Sequence, residues 1–239
     1  MDVSIVVPAR NEVSWIDETL RSIDAAAGVA WSEGVRCEIV VVDNASSDGT
    51  PRLAEALELS TPLSVIPLDR LGAARARNAG AARGSGSLLI FVDADTRLSP
   101  EALVESVRHA GAGKAAGICR LGTFDGGLRA RLWWGFWNAV RRLPLPRAKA
   151  MPAFMFCTRD AFDRYGPFDE SVAIGEEWPI LAGVYAAEPD RFVYDARVLA
   201  RSSSRRMQLV RFGFLINFFK YVWAVLDRRG RLHYPDTVR

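Results

Sequence analysis

A short apolar run that ends in two carboxylates constrains the fold of this chain more than any other feature. Leu88–Val92 is wholly apolar, and Asp93 and Asp95 follow it one residue apart. Such a run is typical of a strand buried on both faces, as in a parallel sheet. Carboxylates at the rim of a core are costly unless a cation neutralises them, and oxygen ligands at this spacing suit Mg²⁺ or Mn²⁺. The alternative is that Asp93 caps the following loop while Asp95 is solvated.

Two similar units precede this run. Residues 3–8 and 37–42 are rich in β-branched residues, and each is followed by a polar loop and then by apolar residues at helical spacing. This repetition of strand, loop and helix predicts an α/β fold with an open, mainly parallel sheet flanked by helices. Such sheets bind ligands beyond the carboxyl ends of their strands. We therefore expect residues 8–12, Asp43 and the two carboxylates to converge on one crevice.

An ordered series of motifs resembles the family 2 glycosyltransferases of the GT-A fold. Four segments match the first half of that family, namely 6–12, 41–50, 76–80 and 91–95. Three more match its acceptor-side half, namely 154–162, 166–170 and 175–178. Each motif is weak by itself, but the order and spacing of the series are specific. The resemblance covers residues 3–205.

The resemblance implies a hexosyltransferase-like enzyme that uses a nucleotide-diphosphate sugar and inverts the anomeric carbon. Asp95, assisted by Asp93, would hold Mg²⁺ or Mn²⁺ across the two phosphates, where the metal acts as a Lewis acid. Asp43 would accept a hydrogen bond from the nucleotide base, and Arg205 or Arg206 would support the departing phosphates. The implied nucleotide-sugar-binding residues are Pro8, Ala9, Arg10, Glu12, Asp43, Arg77, Asp93, Ala94 and Asp95.

The acceptor hydroxyl needs a base, because an alcohol is a poor nucleophile at neutral pH. In the family an aspartate supplies it, and the matching residue here is Glu177, one methylene longer. Pro179 stands at the next matching position, which is usually acidic. We predict that Glu177 is the base, with Glu176 and Trp178 on the acceptor side. The alternative is that the two glutamates are first-turn acids that stabilise a helix N-terminus.

The C-terminal segment, residues 206–239, is basic and aromatic. Its apolar run, 212–226, spans 15 residues and includes Asn217 and Lys220, so it falls short of the roughly 20 residues needed to cross a bilayer. Flanking arginines fit an amphipathic helix that lies in an anionic membrane surface. The alternatives are a helix packed on the core of the domain or on a second subunit in a homodimer.

A second aromatic segment, residues 132–140, contains three tryptophans within five residues. Core packing is the default expectation for this segment. An acceptor groove or a membrane contact is the alternative, because tryptophan favours settings that are half wet and half apolar.

The motifs predict the domain organisation. Residues 1–205 would form the GT-A domain, with 1–97 as the nucleotide-sugar half and 98–205 as the acceptor half. Residues 206–239 would form the C-terminal helical tail.

Composition excludes several classes of protein. The 239 residues carry 31 Lys and Arg against 28 Asp and Glu, a balance that does not favour nucleic-acid binding. A hydrophobic content of 49% is enough for one domain with a full core. Cys37, Cys119 and Cys157 are scattered and suit a reducing compartment. Met1 leads straight into the first predicted strand, so we expect no secretory signal and a cytoplasmic protein, peripheral at the inner face of the cell membrane.

The sequence is compatible with three functions from different classes. The first is metal-dependent transfer of a sugar to an acceptor hydroxyl. The acceptor could be a lipid-linked glycan of the cell envelope. The second is an inert GT-A relative that binds a membrane or a partner. This alternative remains because Glu177 and Pro179 depart from the family pattern. The third, a nucleotidyltransferase, ranks lower because the loop after the first strand lacks the Gly-rich, Lys- or Arg-bearing signature that it would need.

Overall fold

The computed structural model describes residues 2–149, 153–172, 175–205 and 222. Its strands are β1 (Asp2–Ala9), β2 (Arg36–Asp43), β3 (Leu63–Pro67), β4 (Leu88–Val92), β5 (Thr96–Leu98), β6 (Ala116–Thr123), β7 (Phe154–Thr158) and β8 (Phe192–Ser202). Its α-helices are α1 (Ile16–Ser32), α2 (Thr50–Glu55), α3 (Ala73–Arg83), α4 (Ala102–Gly111), α5 (Leu128–Val140), α6 (Arg159–Tyr165) and α7 (Trp178–Ala187). Two short 3-10 helices cover Pro146–Lys149 and Pro189–Arg191.

The strands form one sheet in the order β3-β2-β1-β4-β7-β6-β8-β5. β3, β2, β1 and β4 are parallel to one another, as the repeated units predict. β7 is antiparallel to both β4 and β6, β8 is parallel to β6, and β5 is antiparallel to β8. The predicted α/β sheet flanked by helices is confirmed, and its antiparallel pairs lie in the half beyond β4.

Helices cover both faces of the sheet, which explains why its first strands lack a polar alternation. Ile5 and Ile90 pack in one apolar cluster with residues of α1 and α4. Val6 and Leu89, their sequence neighbours, pack in a second cluster with residues of α3, α6 and α7. Every residue of β4 is at most 2% exposed. The strand that carries the two carboxylates is therefore anchored on both sides.

A close contact between α3 and β1 fixes the position of Arg77 above the sheet. A Cβ atom at Gly80 would lie 2.3 Å from Val6 Cγ1, which real contacts do not allow. Glycine therefore lets α3 approach β1 closely, and Arg77 lies one turn earlier on the same helix face.

The C-terminal predictions fall largely on residues that the structure does not describe. Apart from Val222, the predicted helical tail lies outside the described residues, and so does Arg206. Among the described residues, no helix has the length and apolar character needed to cross a bilayer.

Candidate active site

The loops that follow β1 and β2 are held together by hydrogen bonds. The two strands end side by side, with Ala9 opposite Asp43. The Asn44 amide donates to the Ala9 carbonyl at 2.8 Å, and the Glu12 amide donates to Thr50 Oγ1 at 2.8 Å. The polar loop after β1 therefore lies against the loop that begins at Asp43, as expected.

Asp43 is buried at the carboxyl end of β2. Its Oδ1 accepts from the Ser46 amide at 3.2 Å, so the side chain also shapes its own loop. Ala9 is buried beside it, while Pro8 and Arg10 are half-buried. These four residues line the same strand ends, where the family resemblance puts the nucleoside.

The two carboxylates after β4 occupy different environments. The Asp95 side chain is 10% exposed and the Asp93 side chain 37%. Asp95 Oδ1 accepts from Ser202 Oγ at 3.3 Å, and the Asp95 carbonyl accepts from the Ser203 amide at 3.0 Å. Between them, the carbonyl of the buried Ala94 accepts from Thr19 Oγ1 at 2.8 Å, which ties the loop to α1.

These contacts overturn the alternative in which Asp93 is a loop cap and Asp95 is solvated. Asp95 is buried, because the end of β8 covers it. The Thr96 amide donates to the Asp93 backbone carbonyl and not to its carboxylate. The Asp93 carboxylate is instead engaged in an ion pair.

Arg77 connects the carboxylate loop to the acceptor-side segment. Its Nη2 donates to Asp93 Oδ1 at 2.8 Å and its Nη1 donates to Glu176 Oε1 at 2.9 Å. Burial acts to lower the pKa of Arg77, but the charges of Asp93, Glu176 and Glu177 outweigh it and raise that pKa well above its usual range. Arg77 therefore stays charged and ties the carboxylate loop to Glu176.

Arg205 makes the corresponding link at the end of β8. Its Nη2 donates to Glu12 Oε1 and lies 3.5 Å from Asp95 Oδ2. Its guanidinium carbon also lies 5.6 Å from the centre of the Trp15 ring. Arg205 thus joins the loops after β1 and β4, which is where a group that supports phosphates would be needed.

Glu177 is buried at the start of α7. Its backbone carbonyl accepts from the Ile180 and Leu181 amides, and Pro179 fits the first turn of the helix. The turn before it needs glycine, because Gly175 has a φ of +83° and a Cβ there would lie 2.3 Å from the Trp178 ring. The proline that departs from the family pattern is therefore accommodated without breaking the helix.

Comparisons with known proteins establish the family. The sequence model of the family described as Glycosyl transferase family 2 matches residues 4–166, which include the loops after β1, β2 and β4. The chain belongs to this family. The predicted resemblance is thereby confirmed.

Two relatives illustrate the match for this family 2 chain. The Succinoglycan biosynthesis protein ExoO of Rhizobium meliloti is 31% identical over 208 residues, covering 77% of this chain and 56% of that protein. The Undecaprenyl-phosphate 4-deoxy-4-formamido-L-arabinose transferase of Klebsiella pneumoniae is 36% identical over 114 residues, covering 46% of this chain and 34% of that protein. The chain thus spans about half, or less, of the length of these relatives.

Solved structures agree on the fold. The Mannosyltransferase PcManGT from Pyrobaculum calidifontis, in complex with GDP-Man and Mn²⁺, superposes with a TM-score of 0.61. It is 22% identical and covers 94% of this chain, which covers 64% of that one. The predicted GT-A type fold is confirmed.

Arg141 is a buried cation of this family 2 domain that sequence reasoning missed. It follows α5, is 1% exposed, and its Nη1 donates to Asn138 Oδ1 at 3.0 Å. Burial lowers the pKa of its guanidinium to about 10, while the negative charge of Glu177 opposes that shift. The only sequence signal was the pair Arg141-Arg142 after the aromatic segment, which carries no information about the distant Glu177.

A second acidic group lies on α4 and β8. The ligand atoms of Glu105, His109 and Asp195 lie within 4.8 Å of one another. His109 Nε2 and Asp195 Oδ2 are 2.8 Å apart, and Arg197 pairs with both acids. Because these charges compensate one another and tie α4 to β8, we assign the group a structural role.

The residues after β4 fit a divalent cation better. Asp93 shares Arg77 with Glu176, and Asp95 shares Arg205 with Glu12. Among the residues that the structure describes, each arginine is therefore divided between two carboxylates. Hard carboxylate oxygens in such a setting are the donors that Mg²⁺ and Mn²⁺ prefer.

Proposed function

We propose that the chain moves a sugar from a nucleotide-diphosphate sugar to an acceptor hydroxyl, with inversion at the anomeric carbon. The observation that carries the proposal is the convergence of Glu12, Asp43, Asp93 and Asp95 at one sheet edge, with Arg205 between two of them. Membership of glycosyl transferase family 2 favours this reaction over nucleotidyl transfer.

The donor would bind across the ends of β1, β2 and β4. Pro8, Ala9 and Arg10 would flank the base and the ribose, and the Asp43 carboxylate would accept from a base N–H. Uridine or guanosine fits this role, since both carry an imide-type N–H. Arg205, released from its carboxylates, would contact the phosphates.

Asp95 and Asp93 would hold Mg²⁺ or Mn²⁺, which would supply Lewis-acid stabilisation of the nucleoside diphosphate leaving group. The complex of PcManGT with GDP-Man and Mn²⁺ supports a metal-bound donor in this fold. Because Asp95 is buried, its carboxylate has a fixed position and would be the main ligand. Asp93 is more exposed and would assist while it remains paired with Arg77.

Glu177 would remove the proton of the acceptor hydroxyl. It is buried, and its charge acts on both Arg77 and Arg141. A base on the acceptor half and a donor on the nucleotide half would act on opposite faces of the anomeric carbon, which supports inversion.

The separation of a donor half from an acceptor half supports the predicted domain organisation. Residues 1–97 would hold the nucleotide sugar, 98–205 the acceptor, and 206–239 would form a tail. One relative is named for undecaprenyl phosphate, which supports a lipid-linked acceptor and a position at the inner face of the cell membrane.

Glu177→Gln tests the reaction directly. We expect release of nucleoside diphosphate from UDP- and GDP-sugars, in the presence of envelope glycolipid extract and Mn²⁺, to fall by about 10²–10⁴-fold. Nucleotide affinity should stay within about twofold, because a base acts mainly in the transition state.

The neighbouring variant Glu176→Gln controls for general disturbance of the segment. Wild-type turnover in Glu177→Gln combined with a large loss in Glu176→Gln would move the base to Glu176. Absence of turnover and of nucleotide binding in the folded wild-type protein would contradict the proposed function and leave an inert relative.

A further inference from the structure

Helix α5 has two apolar faces, and among the described residues one of them is buried while the other carries exposed leucines. Ala130, Trp133 and Trp137 are buried against the domain. Leu128 and Leu132, four residues apart, are 73% and 64% exposed and lie on the outer side. A helix that presents apolar side chains both inward and outward needs a second apolar environment.

The outer apolar face continues beyond the helix. Phe136, one turn after Leu132, is 42% exposed, and Leu143 and Leu145 in the following loop are also exposed. Leu128, Leu132, Phe136, Leu143 and Leu145 together form what we call the α5 face. Exposed apolar side chains grouped in one segment indicate an interaction site.

The charged side chains along the segment that carries the α5 face are all basic. Residues 126–158 contain six basic side chains and no Asp or Glu. Arg129, Arg131 and Arg142 are exposed, and none of them forms an ion pair within the part of the chain that the structure describes. Exposed arginines on other helices pair with acids, as Arg21 does with Asp17. The arginines of this face are therefore available to an anionic partner.

We propose that the α5 face docks on the surface of an anionic lipid bilayer. Exposed apolar side chains rimmed by arginines are the pattern of helices that lie in the plane of a membrane interface. A second copy of the chain is a poorer fit, because a symmetric contact would bring the two arginine rims together and they would repel. The α5 face is made of residues between 128 and 145, whereas the sequence predicts a membrane contact for residues 206–239.

The ends of α5 link this surface to the candidate active site. Before the helix, Asp125 Oδ1 accepts from the Ser204 amide at 2.7 Å, next to Arg205. After the helix comes Arg141, on which the charge of Glu177 acts. Docking would therefore hold the site beside the bilayer. This benefit rests on the proposed function, since it matters for a lipid-linked acceptor, whereas the docking itself does not depend on it.

Vesicle co-sedimentation of the full chain tests the docking. We expect binding to phosphatidylcholine vesicles that contain phosphatidylglycerol, weaker binding at high salt, and little binding to phosphatidylcholine alone. Leu128→Glu with Leu132→Glu should lower the partition coefficient tenfold or more. Trp31→Glu, a matched change at a 68% exposed apolar residue of α1, should leave it unchanged.

A second pair of variants covers the case in which the leucine variant fails to fold. Arg129→Ser with Arg131→Ser should weaken binding about fivefold for each arginine removed. Circular dichroism melting confirms folding, and nucleotide affinity should be unchanged in both pairs. That readout separates a failure of docking from a failure of the proposed function.

Three results would overturn the proposal. The first is a folded wild-type protein that does not bind anionic vesicles at low salt. The second is wild-type binding by both pairs of variants, which would put the membrane contact elsewhere, with residues 206–239 the next region to test. The third is a dimer in sedimentation velocity that the leucine variant dissociates, together with no vesicle binding, which would assign the face to a second copy.

Discussion

At the scale of single residues, two arginines decide how the site is held. Arg77 and Arg205 each bridge two carboxylates that come from distant parts of the chain. A buried carboxylate that loses its only cation is costly, because the charge is left uncompensated. The arginines therefore allow an acidic site to exist in the unliganded protein.

Arg77→Ala should lower the free energy of unfolding by about 3 kcal/mol, because it removes a buried partner from both Asp93 and Glu176. Arg75→Ala is the matched control on the same helix. Arg75 pairs with Glu170 at a half-exposed position, so its loss should cost at most about 1 kcal/mol. Urea denaturation measures both, and equal losses would contradict the bridging role of Arg77.

At the scale of elements, the segment after β8 is positioned by one side chain. Asp125, between β6 and α5, accepts from the Ser204 amide at 2.7 Å and from Ser203 Oγ at 2.5 Å. Partial burial acts to raise the pKa of Asp125, but the hydrogen bonds from Ser203, Ser204 and Thr123 outweigh it and lower that pKa below its usual value. These bonds hold Arg205 next to Glu12 and Asp95.

Asp125→Asn should lower the melting temperature at pH 7. Because the pKa of Asp125 is lower in the folded state, its contribution is complete above the ordinary pKa of aspartate, about 3.9, and is lost as the pH falls through the folded value. The difference in melting temperature between wild type and variant should therefore shrink below about pH 4. A difference that stays constant from pH 7 to pH 3 would contradict this account.

The first strands and their loops were predictable from sequence because their signals are local. β1, β2 and β4 are apolar runs, and each ends at polar residues that the parallel sheet brings to one edge. The order of β6, β7 and β8 was not predictable, because antiparallel and parallel partners beyond β4 are chosen by contacts between distant segments. For the same reason the pairing of Arg77 with Glu176, 99 residues away, could not be read from the helix pattern.

At the scale of the whole molecule, one continuous sheet carries both halves of the site. Its parallel half contributes the loops with Glu12, Asp43 and Asp93. In its mixed half, Arg205 follows β8, and Glu177 stands directly before α7, between β7 and β8 in the chain. Groups mounted on a single rigid scaffold keep fixed mutual positions, which favours catalysis by orientation. We therefore expect the carboxylate edge of the sheet to bind a nucleoside diphosphate together with a divalent cation.

Isothermal titration of UDP and GDP in the presence of Mn²⁺ tests this joint binding of nucleotide and cation. We expect one of the two nucleotides to bind, and EDTA or Asp95→Asn to weaken its binding by at least about tenfold, because each removes the cation that bridges protein and phosphates. Asp17→Asn, at an exposed carboxylate of α1, should bind like the wild type. Equal affinity with Mn²⁺ and with EDTA, or unchanged affinity in folded Asp95→Asn, would contradict the claim.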